Sequence, residues 1–169
     1  IKAADIVLID DSRKYFSEGE EYLSKEQYLL ALCEYINVDQ LDEKDYTDAT
    51  DRIDKYNDKA YEEAYSIAQA AVSSKDYSAV DYNNWSKIFD DTNVTNLSNL
   101  LEASLAADIQ SQITNRDLDG ARANIERFSL LLSGSEKQSL NAAISNEEEK
   151  IRIEGLRDSQ EVYVTSTYI

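Results

Sequence analysis

A chain of 169 residues, 42% hydrophobic and 30% charged, can bury a sizeable core and is too apolar to stay disordered. Its formal net charge of −17 disfavours nucleic acid and anionic lipid as partners, because both are bound mainly through Lys and Arg. The absence of His excludes a Ser-His-Asp triad, a Cys-His pair and an H-E-x-x-H zinc site, and a single Cys excludes an intrachain disulfide or a paired-Cys zinc site.

There is no Pro and there are four Gly, so few breakers exist for hairpin turns between strands and helix is expected throughout. The first helix is expected from about Ala3 to Leu23, with an apolar face through Ala4, Leu8, Tyr15, Gly19 and Tyr22. Ser24-Lys25-Glu26-Gln27 has the form of a capping box, which predicts that Ser24 accepts from the Gln27 amide and starts a second helix to Val38. Its stripe is Tyr28, Ala31, Tyr35 and Val38, so the two helices form an antiparallel hairpin. The segment from Asp39 to Glu43 is the linker to the next pair.

Tyr46, Ala49, Ile53, Tyr56, Ala60, Ala64, Ile67 and Ala71 keep a spacing of three and four. This predicts one long helix over 44–73, with a break at Asn57-Asp58 as the alternative. A fourth helix is expected over 77–89 through Val80, Trp85, Ile88 and Phe89. Asp90 to Thr95 reads as a polar connection, and Asn96 as the cap of a helix to Ile113. The next helix is expected over 118–132, stopped by Gly134, and a last one begins with the capping box Ser135-Glu136-Lys137-Gln138 and ends near Ile153. The β-branched and aromatic end of the chain reads as an extended or disordered tail over 156–169, following a helical domain over 1–155.

A short cassette recurs at the turns. Lys25-Glu26-Gln27-Tyr28-x-x-Ala31, Lys75-Asp76-Tyr77-x-x-Val80 and Arg116-Asp117-Leu118-x-x-Ala121 share a base, an acid, a large apolar residue and a smaller one three later. Lys44-Asp45-Tyr46-x-x-Ala49 repeats it at a helix start. The unequal spacing of the copies suits stacked hairpins of different length.

The opening hairpin resembles a tetratricopeptide repeat: Tyr15, Gly19, Tyr22, Ala31 and Tyr35 stand at that family's aromatic, glycine, aromatic, alanine and aromatic positions. Glu18 stands where a Leu is usual and Glu43 where the closing Pro is usual. The short hairpins, the long helix and the K-D-Y turns also resemble tetratricopeptide-like modules displayed outside the membrane by Gram-positive bacteria. The resemblance implies an all-α fold of about seven helices, in irregular antiparallel hairpins stacked as a short right-handed α-solenoid. It further implies a scaffold at the cell surface that binds a protein or peptide without chemistry and without a cofactor.

The charge is read as a solubilising coat, with attraction of a cationic partner as the alternative. Asp39, Asp42, Asp45, Asp48, Asp51 and Asp54 recur every third residue, a spacing that turns them around a helix and away from a common ion, so no metal site is assigned. Glu147-Glu148-Glu149 is a solvated face, and Cys33 a small hydrophobe at the hairpin seam. Most of the 12 Tyr fall on core stripes, but Tyr61, Tyr65, Tyr82 and Trp85 exceed what the middle hairpin needs and are the candidate binding residues. No Gly-rich phosphate loop can be drawn, and no carboxylate pair stands out for catalysis, so the chain is read as a non-enzyme. Two other readings are carried: a small-ligand-binding helical domain with a Tyr-rich acidic groove, and a structural spacer between a membrane anchor and another domain. Ile1 in place of an initiator Met suggests a mature or trimmed segment.

Overall fold

The computed structural model describes residues 2–167 of the chain, and the side chains of 2–160. It contains seven helices: α1 Ala3–Ser24, α2 Tyr28–Tyr35, α3 Glu43–Ser74, α4 Tyr82–Ile88, α5 Asp91–Thr114, α6 Leu118–Arg127 and α7 Gly134–Thr167. There is no strand among the described residues. The chain divides into two compact units, residues 1–101 and 102–169, with α5 running through the boundary.

In the first unit, α2 packs between α1 and α3 and also touches α4. Its pairing with α1 is antiparallel, since Tyr35 lies on Gly19 while the Asp39 amide, just beyond α2, donates to Ser12. Ser12 is 1% exposed because its hydroxyl accepts the Asp39 amide at 2.7 Å, which satisfies a buried polar group and fixes the linker to α3. The buried row of α3 is Ala49, Ala60, Ala64, Ala68 and Ala71. Helix α3 packs chiefly on α2, and no break occurs at Asn57-Asp58. Asn57 instead donates across to the Ile88 carbonyl at 3.0 Å, tying α3 to the end of α4.

The turn cassettes share a backbone feature. Glu26, Lys75 and Arg116 occupy the same cassette position, two residues before Tyr28, Tyr77 and Leu118, and among the described residues they are the non-glycine residues with positive φ, at 56°, 57° and 63°. After α1 the Gln27 amide bonds the Tyr22 carbonyl and the Glu26 amide bonds Leu23, each at 3.0 Å. After α5 the Asp117 and Arg116 amides repeat the pattern on Gln112 and Ile113. Both are Schellman closures, in which a left-handed residue lets the last carbonyls find donors and reverses the chain.

In the second unit, α6 packs on α7. Asp117 caps α6 by accepting the Gly120 amide at 3.1 Å, and a Cβ at position 120 would collide with that carboxylate. Arg116 bridges two turns of α7 through Glu147 at 3.1 Å and Glu154 at 2.8 Å, and Arg122 pairs with Glu148. Glu148 and Glu149 are exposed, as the solvated-face reading expects, while Glu147 is largely covered and pairs with Arg116 of the turn before α6.

Several boundaries differ from the sequence reading. Helix α2 starts at Tyr28, with Ser24 donating to the Glu21 carbonyl instead of capping. Residues 77–81 form a turn before α4, in which Tyr77 and Val80 are buried. Asp90, not Asn96, caps α5, accepting the Asn93 amide at 2.8 Å. Helix α6 ends at Arg127, and Gly134 opens α7 behind a Ser133 cap that accepts from Glu136. Helix α7 continues to Thr167, so 156–167 is helical where an extended or disordered tail was expected; residues 168 and 169 lie outside the described residues. Once a helix exists, each added residue gains a hydrogen bond, and the propensity deficit of a β-branched residue, at most about 0.7 kcal/mol, is too small to stop it.

Candidate functional site

Within the first unit, a groove of about 930 Å³ opens where the start of α2, the middle of α3 and the turn before α4 meet. Its apolar lining is Tyr28, Leu29, Leu30, Ile67 and Ala79. Leu29 is 4% exposed and belongs to the core, whereas Leu30 is 46% exposed and faces the groove without cover. The polar lining is Glu26, Gln27, Lys59, Glu62, Glu63 and Ser66.

The walls are held by specific contacts. Glu63, on α3, accepts the Leu29 amide at 2.7 Å and the Tyr28 amide at 3.2 Å. These are among the first amides of α2, which have no partner within their own helix, and the carboxylate also meets the positive end of the helix dipole. Tyr28 stacks on Tyr56 with centroids 5.5 Å apart and planes 28° apart. The Lys59 ammonium lies 4.6 Å from the Tyr28 ring centroid and donates to its hydroxyl at 3.2 Å. That hydrogen bond, with attraction from Tyr28 and Glu26, raises the Lys59 pKa above its ordinary value. Lys59 is therefore engaged, while Glu26 and Glu62 stand exposed at the rim.

A second knot lies further along the hairpin seam. The Tyr35 hydroxyl donates to Glu20 Oε1 at 2.5 Å, and Arg52 donates to both Glu20 oxygens, at 2.7 and 3.3 Å. Arg52 also sits 5.9 Å over the Phe16 ring. The Arg52 hydrogen bond is the main force lowering the Glu20 pKa, and burial is the main one raising that of Tyr35. This knot joins α1, α2 and α3 and exposes no nucleophile. Cys33 is a poor nucleophile, since burial pushes its thiol up to about 12 and thiolate is scarce near neutrality.

None of the sequence candidates Tyr61, Tyr65, Tyr82 and Trp85 lines the groove. Trp85 is 1% and Tyr82 7% exposed, so both are core residues of α4 with almost no surface to offer. Tyr61 and Tyr65 are half-buried and turned to each other, with centroids 6.0 Å apart, and Tyr61 meets Phe89 edge-on at 5.6 Å. Tyr61 thereby joins α3 to the end of α4. The groove residues Leu30, Lys59, Glu62 and Glu63 were not singled out. One signal did exist: Leu30 is an apolar residue off the Tyr28–Ala31–Tyr35 stripe, so the helix cannot bury it with the rest.

Among the described residues, no three His, Cys, Asp or Glu side chains gather to hold a metal ion, and no helix is long and apolar enough to cross a membrane. Comparisons with protein-family models, curated proteins and solved structures find no match to this chain.

Proposed function

We propose that this chain is a non-catalytic helical-repeat scaffold of the tetratricopeptide-like kind, with its hairpins stacked as an irregular right-handed solenoid. In this reading it works at the bacterial cell surface and binds a segment of another protein. The observation that carries it is the groove between α2, α3 and the turn before α4, where an uncovered Leu30 and Tyr28 lie beside exposed carboxylates on a wall fixed by Glu63. Exposed apolar surface rimmed by polar groups is how helical hairpins take up peptide segments. The shared left-handed residue of three turn cassettes supports the repeat reading, and two of those turns, after α1 and α5, have the same closure.

The test is a peptide library screened against the ¹⁵N-labelled full chain by NMR. Binding should move the amide signals of Leu29, Leu30, Ser66 and Ile67. If no peptide moves them, or if every binder moves signals elsewhere, the reading fails.

A groove of about 930 Å³ also falls within the roughly 300–1,000 Å³ range of small-molecule sites, which favours a small-ligand-binding domain as the second reading. A thermal-shift screen of amines and sugars separates the two. A saturating small ligand raises the melting temperature by mass action, and a peptide scaffold shows no such gain.

A further inference from the structure

We infer that the groove takes a basic peptide segment that presents one aliphatic or aromatic side chain; this rests on the peptide-binding reading above and names its partner's chemistry. Three carboxylates, Glu26, Glu62 and Glu63, line the groove against one cation, Lys59. Lys59 is held on Tyr28 by a hydrogen bond and a ring contact, and Glu63 by two α2 amides, so the groups left for a visitor are Glu26 and Glu62. Both are exposed carboxylates, and they share the lining of the groove with the uncovered Leu30. A neutral apolar peptide would leave these charges without partners, and an acidic one would be repelled. A second copy of this chain is the wrong visitor as well, because two bodies each carrying a net charge of −17 repel as they meet.

In the complex, the apolar anchor seats on Tyr28, Leu30 and Ile67, and Lys or Arg side chains one or two positions away reach Glu26 and Glu62. The chain's overall charge attracts any cation diffusely, so the site must be separated from that background. Diffuse attraction is screened by salt at about the physiological Debye length of 8 Å, whereas contacts made inside a groove are screened less.

The experiment uses the full chain and three fluorescein-labelled heptapeptides in fluorescence anisotropy at physiological salt. One alternates Lys with Leu around a central Phe, one replaces each Lys by Glu, and one replaces Leu and Phe by Ser. The Lys-Leu-Phe peptide should bind saturably, at least tenfold tighter than either relative. Glu62→Lys and Leu30→Ser should each weaken it at least tenfold, while Asp158→Lys, a matched charge change on exposed surface of the second unit, should leave it within twofold. Equal loss from Glu62→Lys and Asp158→Lys overturns the site in favour of diffuse charge. Equal or tighter binding of the Glu or Ser peptide overturns the partner chemistry while the peptide-binding reading stands. Failure of all three peptides, with library peptides of other composition still moving the Leu30 signal, does the same; failure of both sets sinks both readings. Dimerisation in sedimentation runs that Leu30→Ser abolishes would assign the groove to a second copy and overturn the proposal.

Discussion

At the scale of single residues, Gly19 and Glu20 show how one seam is specified. Gly19 sits inside α1, where glycine costs about 1 kcal/mol relative to alanine. It is there because the Tyr35 ring lies on it: a Cβ would stand 2.5 Å from Tyr35 Cε1, and Tyr35 is 1% exposed and cannot swing away. Gly19→Ala should therefore destabilise the chain by about 1–3 kcal/mol despite its better helix propensity, read as a lower urea midpoint with unchanged slope. A rise in the midpoint would show that the ring gives way. Glu20, beside it, has a pKa held below the ordinary value of 4.5, first by the Arg52 hydrogen bond. Its contribution to stability is thus complete above pH 4.5 and is lost as the pH falls through the lowered folded value. Glu20→Gln should lose stability at neutral pH and show a shallower decline on acidification. An acid limb as steep as the wild type's in urea titrations would dissociate Glu20 from that decline.

At the scale of elements, the informative case is the start of α2. Eight residues are too few for an autonomous helix, so its ends must be satisfied from outside. Two of its first amides go to Glu63, from a different helix, and the Schellman turn before it is closed by backbone bonds alone. Glu63→Ala should cost about 1–2 kcal/mol, in the range of a lost N-cap, and Ser24→Ala should fall within about 0.5 kcal/mol of wild type. Chemical denaturation of the two variants checks both, and a Ser24 effect as large as that of Glu63 would restore the capping box.

At the scale of the whole molecule, charge is the dominant physical fact. A net charge of −17 stores self-repulsion in the folded state that exposed i, i+4 pairs such as Lys25–Glu21 and Lys44–Asp48 do little to offset. Raising the salt from about 0.01 M to about 0.15 M shortens the Debye length from about 30 Å to about 8 Å. The melting temperature should then rise by about 2–4 °C, the equivalent of about 1 kcal/mol for a chain of this size. A fall measured by calorimetry would mean that the ion pairs outweigh the repulsion.

Local pattern by itself determined much of this protein: the all-α class, the long unbroken α3, the alignment of the turn cassettes and the core roles of Tyr35, Ala60 and Ala64. Those features follow from helical periodicity and from the absence of breakers, which act within a few turns of chain. The caps escaped that reading. Ser24 has the right local spelling, yet Glu63 of another helix takes the first α2 amides, because tertiary packing brings its carboxylate to 2.7 Å. At α7 the cap is Ser133, which accepts from Glu136 within the equally local spelling Ser133-Gly134-Ser135-Glu136. The tail's β-branched composition was outweighed by propagation of a helix already formed. The groove was the least legible feature. Its lining comes from three separated stretches, around 26–30, 59–67 and 79, and Tyr61, which looked surplus, packs edge-on against Phe89 at the end of α4. Which apolar residue a helix leaves uncovered depends on what fails to pack against it, and for Leu30 only the tertiary structure decides that.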